Sequence, residues 1–152
     1  MDSGSTTIEE IPVPAPVTMR SALLPISEGN LSAGFPSPAE DHGENRIDLA
    51  EILVPHPSAS FTLRVNGHSM TRAGIHDGDL AIVDRSLTAR HNDVIVAALD
   101  GDLVCKRLLI KHGRTWLVPD CEDPAYKPAE VTGRDGFEIW GVITATIRFH
   151  RR

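Results

Sequence analysis

The sequence predicts a mostly β fold, a compact domain of short twisted strands that carries a flexible N-terminal arm. Three observations predict it. Proline is crowded at the front of the chain: six of the 11 prolines, Pro12, Pro14, Pro16, Pro25, Pro36 and Pro38, lie in the first quarter. Beyond them, short apolar runs either alternate with polar residues at period two or stand as brief unbroken stretches, which are the two strand patterns. Turn pairs such as Asp100-Gly101 and His112-Gly113 punctuate those runs. With 152 residues, 41% hydrophobic and 24% charged, the chain is long enough for one ordinary core.

Residues 1–33 read as the arm and 34–152 as the folded domain. Proline, serine, threonine and glycine dominate the arm, so it buries too little apolar surface to offset the entropy of ordering it. Leu23, Leu24 and Ile26 are short apolar patches able to dock on a folded surface. Asp48 is placed to cap a short helix over 49–53, which must stop before Pro55 and Pro57. Phe61, Leu63 and Val65 alternate with Thr62, Arg64 and Asn66, a half-buried strand. A second short strand covers 80–83. The runs 94–99 and 103–110 flank Asp100-Gly101, a hairpin signal. After His112-Gly113 comes a strand over 116–118. The last strand spans 138–149, with Ile139, Ile143, Ile147 and Phe149 on one face and Thr144, Thr146 and Arg148 on the other.

Composition excludes several function classes. The net charge is −6, and gripping DNA phosphates needs a Lys/Arg surplus, so direct, sequence-specific DNA binding is not expected. The two cysteines, Cys105 and Cys121, form no CxxC pair and join no cluster of zinc-like spacing. Isolated thiols suit a reducing cytoplasm. No run approaches the length of a membrane span and no basic-then-apolar leader is present, so the reading is a cytoplasmic protein with no membrane partner, no metal and no cofactor.

Two polar residues stand out by position. Ser69, in Gly67-His68-Ser69-Met70, follows a strand and a glycine, and so can project into a cleft as a nucleophile or simply cap a turn. Thr71 occupies the second glycine position of Gly-x-Ser-x-Gly, which removes the esterase elbow. Lys106 lies inside an apolar strand and shares its face with Val104 and Leu108, while Leu103, Cys105 and Arg107 share the other. Such a lysine either snorkels at an edge or is buried. If buried, its charged form is disfavoured and the neutral amine can serve as a base, the role histidine plays in a serine-protease triad.

The ordered set Gly67-His68-Ser69-Met70, Gly74-Ile75-His76-Asp77-Gly78-Asp79-Leu80, Val83-Asp84-Arg85-Ser86 and Val104-Cys105-Lys106-Arg107-Leu108 resembles the self-cleaving serine peptidase domain shared by LexA, UmuD and phage repressors. Ala33-Gly34-Phe35-Pro36-Ser37-Pro38, Arg46-Ile47-Asp48-Leu49 and His56-Pro57-Ser58-Ala59 look specifically like UmuD. The resemblance implies Ser69 as nucleophile, Lys106 as general base and Ala33-Gly34 as the bond cut. It further implies an SOS-response mutagenesis protein, with cleavage stimulated by RecA on single-stranded DNA. The product would be a homodimer serving a UmuC-like error-prone translesion polymerase. Ala33 and Gly34 are small enough for a tight cleft, and Pro36 and Pro38 bias Phe35 and Ser37 towards extended backbone. Two departures concern loop shape: His68 stands where relatives often carry Asp, and Asn92 where they often carry Gly. The rivals are a non-cleaving binding module of the same fold, a LexA-like repressor, disfavoured by the short segment before Ala33, and a signal peptidase. A triad using His68 or His91 is disfavoured; His68 adjoins Ser69, and adjacent side chains on extended backbone point apart.

Overall fold

The computed structural model describes residues 7–8, 20–26 and 45–151. Among them the chain forms β1 (Thr7–Ile8), β2 (Leu23–Pro25), β3 (Arg46–Asp48), α1 (Leu49–Leu53), β4 (Ser60–Asn66), β5 (Leu80–Asp84), β6 (Val94–Leu99), β7 (Asp102–Lys111), β8 (Arg114–Val118), β9 (Ala129–Glu130) and β10 (Phe137–Ile147). Mostly β, as the sequence predicts, these strands form one antiparallel sheet in the order β1-β4-β5-β10-β6-β7-β8-β9, with β2 and β3 as a separate pair. Because β1 pairs with β7 as well as β4, the strands β1, β4, β5, β10, β6 and β7 close into a ring.

Local chemistry explains the elements. Leu99 pairs with Asp102 across Asp100-Gly101, whose φ values of 51° and 91° are the doubly positive pair of a tight two-residue hairpin. His112 and Gly113, at 49° and 74°, repeat the device between Lys111 and Arg114. Asp48 caps α1 as expected: its Oδ1 accepts the Ala50 N–H at 3.0 Å and the Ala22 N–H at 2.8 Å. One carboxylate thereby ties the helix to the β2–β3 pair. Leu23, Leu24 and Ile26 flank or form β2, yet their side chains remain exposed.

Two apolar clusters sit on opposite faces of β6 and β7. One holds Leu103 and Cys105 of β7 with Val96, Leu63, Val65, Ala81, Val83, Met70 and Ile75. The other holds Val104 and Leu108 with Ile95, Ala97, Leu117, Val131 and Val142. Two-sided burial is why 94–99 reads as a continuous apolar run and why 103–110 is apolar apart from Lys106 and Arg107.

The single-face expectation for the last strand does not hold. Register shifts fall between Ile139 and Gly141 on the β6 side and between Ile143 and Ala145 on the β5 side. Each irregularity resets the alternation. Ile139 therefore packs on the second cluster and Ile143 on the first. Phe149 lies beyond β10, which ends at Ile147, and is 60% exposed.

Two buried carboxylates anchor the edges. Asp79 accepts Arg148 Nε at 2.9 Å and Nη2 at 2.7 Å, and the His76 N–H at 2.9 Å. Arg148 also reaches the Gly74 carbonyl at 3.0 Å, fastening the end of the chain to the 74–79 loop. Asp84 accepts the Ser86 hydroxyl and is hydrogen-bonded to His56 Nδ1, both at 2.6 Å. Hydrogen bonding from Arg148 holds Asp79 below its ordinary pKa, outweighing burial. For Asp84 burial is the largest single influence and pushes upward, but the bonds from Ser86 and His56 together overcome it and leave the carboxyl depressed.

Both acids therefore bind protons less readily folded than unfolded. Their stabilisation is fully present above the unfolded carboxylate value of about 4 and is lost as pH falls through the depressed folded values. Melting temperature should fall on acidification below that range, and the combined Asp79→Asn, Asp84→Asn variant should show a shallower fall from a lower starting point at neutral pH. A second prediction concerns Gly141. A Cβ there would lie 2.6 Å from Val83 Cγ1, and Val83 is fully buried. Gly141→Ala should cost about 1–3 kcal/mol by overpacking, measured by denaturant unfolding.

Candidate active site

Strand β4 carries the chain to Gly67, whose φ of 104° is open to glycine and strained for other residues. Its N–H donates to Asp77 Oδ1 at 2.8 Å. The turn delivers Ser69 and Met70 into the interior, both fully buried. The Met70 carbonyl accepts N–H groups from Ala73 and Ile75, closing a short 3-10 turn over Thr71–Ala73. The Ser69 carbonyl accepts the Asp120 N–H at 2.8 Å, and the Asp120 carbonyl accepts the Arg72 N–H at 2.8 Å. The serine loop is thus sewn to the segment after β8.

Lys106 stands on β7 opposite Ile95 of β6. It is only 7% exposed, so of the two sequence readings the structure takes burial over snorkelling. On its second edge β7 pairs with β1 through Leu103 and Val104, and with β8 from Arg107 onward. Lys106 lies at the changeover between those partners. Its Nζ sits 5.7 Å from the centre of the Tyr126 ring, within cation–π range. Tyr126 in turn lines an open cavity of about 500 Å³ together with His68, Thr71, Arg72 and Cys121. His68 and Thr71 of the serine loop and the aromatic partner of Lys106 therefore face one cavity.

The strand pairings place the two residues at the same end of the sheet. Thr7 of β1 pairs with Asn66 on one side and Val104 on the other. Ser69 follows Asn66 by three residues and Lys106 follows Val104 by two. Ala33 and Gly34 lie outside the described residues.

The other candidates separate. Cys105 points away from Lys106 into the first cluster, and burial pushes its thiol up to about 12. His91 Nδ1 accepts the Ile110 N–H at 2.9 Å, so that histidine serves the end of β7. The His56–Asp84–Ser86 group contains all three residue types of a hydrolase triad, yet both His56 and Ser86 bond to the carboxylate, which makes it an anchor. No group of three or more His, Cys, Asp or Glu side chains among the described residues is arranged to hold a metal, and no helix there is long and apolar enough to cross a membrane. Asp120 and Tyr126 were not singled out from the sequence. Pro119-Asp120 and Asp123-Pro124 mark a loop, but nothing local says that it returns to the serine.

Residues 25–144 match the peptidase S24-like family. The chain belongs to this family. Among S24 relatives, protein MucA of Salmonella typhimurium is 42% identical over 128 residues, covering 84% of this chain and 86% of MucA. Protein ImpA of Shigella flexneri is 37% identical over 127 residues, covering 84% and 85%. The LexA repressor of Bordetella avium is 36% identical over 141 residues, which is 91% of this chain and 64% of LexA. The UmuD-like S24 resemblance drawn from the ordered motifs therefore holds over most of the chain.

Burial separates the two thiols of this S24 protein. Cys105 is fully buried and Cys121 lines the open cavity. In the native state a thiol-specific disulfide reagent should modify Cys121 and spare Cys105 until the chain is unfolded. Modification mapped by mass spectrometry checks this, and equal labelling of both would contradict the packing.

Proposed function

We propose that this S24 protein is an SOS-response mutagenesis protein that cuts its own chain between Ala33 and Gly34, with Ser69 as nucleophile and Lys106 as general base. The observation that carries the reading is the burial of Lys106 among apolar residues, beside the tyrosine that lines the cavity flanking Ser69. A buried amine near a serine is the arrangement in which lysine can replace the histidine base of a serine protease.

In that chemistry Lys106, in its neutral form, takes the Ser69 hydroxyl proton as the oxygen bonds to the Ala33 carbonyl carbon. The tetrahedral intermediate collapses, the Ala33–Gly34 C–N bond breaks, and Lys106 returns the proton to the departing Gly34 amine. Water, deprotonated by the same amine, then hydrolyses the Ala33 ester and frees Ser69. Backbone N–H groups of the serine loop are the natural donors to the oxyanion. The paired prolines after Gly34 favour the extended form in which a cleft reads backbone.

The processed chain, from Gly34 onward, pairs as a homodimer and serves a UmuC-like error-prone polymerase. RecA on single-stranded DNA favours the cleavage-competent arrangement and so speeds the cut. The likeness to MucA and ImpA over 84% of the chain supports this setting.

Purified protein followed by mass spectrometry should show one cut, at Ala33–Gly34, accelerated by the RecA filament and by rising pH as the base loses its proton. Ser69→Ala and Lys106→Ala should each slow it by at least about a thousandfold. A wild-type chain that stays whole under every condition while still binding the filament or a polymerase overturns the enzymatic reading in favour of the binding module.

A further inference from the structure

Arg107 follows Lys106 directly and points from the opposite face of β7. Its guanidinium joins three segments. Nε and Nη2 donate to Asp120 Oδ2 at 3.2 and 2.8 Å, and Nη1 donates to the Asn92 carbonyl at 2.7 Å. Asn92 is itself fixed, at φ 74° with its N–H on the Leu108 carbonyl at 2.8 Å. Asp120 then uses its main chain on the serine loop, giving its N–H to the Ser69 carbonyl and accepting the Arg72 N–H, each at 2.8 Å. One residue thus offers its side chain to the neighbour of Lys106 and its backbone to Ser69.

We propose that Arg107 and Asp120 are a positioning pair that holds the Ser69 loop in register with Lys106. Their role is to position rather than to react, and the inference rests on the Ser69–Lys106 reading. The mechanical argument is short. A peptide unit is planar, so capturing the Ser69 carbonyl orients the whole Ser69–Met70 unit and restrains the backbone from which the hydroxyl projects. The capturing N–H belongs to Asp120, and Asp120 is held by a fork rooted on β7 one residue from the base. Movement of β7 is thereby passed to the serine, and the two reactive groups travel together. The side chains of Arg107 and Asp120 are 28% and 30% exposed, so water weakens the pair without dissolving it. Lysine at 107 would keep the charge but lose the planar fork.

A misplacement of about 1 Å between reacting groups can cost about a hundredfold in rate. Arg107→Gln and Asp120→Asn should each slow single-turnover self-cleavage by about ten- to a hundredfold, with Arg107→Lys losing less than Arg107→Gln. The double variant should lose little more than the worse single, because both changes break one contact. Melting temperatures read alongside separate misplacement from unfolding. In a Ser69→Ala background, where cleavage plays no part, Arg107→Gln should accelerate hydrogen exchange at the residue 120 amide by about tenfold or more, since that N–H is the one bonded to the carbonyl of residue 69. Unchanged exchange overturns the proposal, and so do fully additive rate losses or a graded series that follows melting temperature alone. A parent chain that never cuts would sink the cleavage reading and leave the exchange experiment to decide the pairing by itself.

Discussion

Strand β7 has apolar cover on both faces, and that constraint governs where its charged residues go. Leu103 and Cys105 are committed to one cluster, Val104 and Leu108 to the other. Period two then gives Lys106 and Arg107 opposite faces with no choice in the matter. Arg107 reaches outward far enough to fork onto Asp120. Lys106 stays 7% exposed between Val104 and Leu108, with Tyr126 over its amine. A one-residue slip of β7 against β6 would exchange the two cores and the two cations together, so the register that builds the core is also the register that builds the site.

Among the described residues, the buried charges divide into two kinds. Asp79 and Asp84 sit where separate segments meet, and each collects donors from outside its own strand: Arg148 and His76 for the first, His56 and Ser86 for the second. Their depressed pKa values record that the charged form is welcome there. These are fastenings, and an acid that loses its donors is left buried and uncompensated. Lys106 differs in its surroundings. Its nearest company along the strand is aliphatic, and the loop beside it carries the serine.

What could be read from the sequence was what is local. Asp100-Gly101 and His112-Gly113 announced their hairpins because doubly positive φ is a property of two residues. Asp48 announced α1 because a cap acts within one turn. The faces of β7 followed from alternation. Beyond that range the sequence fell silent for definite reasons. The irregularities around Gly141 and Thr144 reset the faces of β10, and they follow from pairing β10 with β6 on one side and β5 on the other, which no window of ten residues contains. Asp120 is separated from Ser69 by 51 positions (120 − 69), and its bond to the serine carbonyl is made by backbone, which leaves no residue-type signature at all. The ordered motifs identified the family because they sample the chain widely, from Ser69 to Lys106, whereas single motifs such as Gly-x-Ser carry little.

The same ring fixes where Ser69 and Lys106 stand relative to one another along the sheet. Strands β4, β5, β10, β6 and β7 are paired in sequence, and their curvature brings the outer edges of β4 and β7 toward each other without letting them bond directly. Only β1 stands between, and it pairs with Val65 and Asn66 on one side and with Leu103 and Val104 on the other. Sheet edges carry unpaired N–H and C=O groups, and extended backbone is what satisfies them. Ser69 lies just past the end of β4, and Lys106 just past the reach of β1 on β7. The two residues proposed to cut peptide bonds therefore stand just beyond the positions that β1 ties together on β4 and β7.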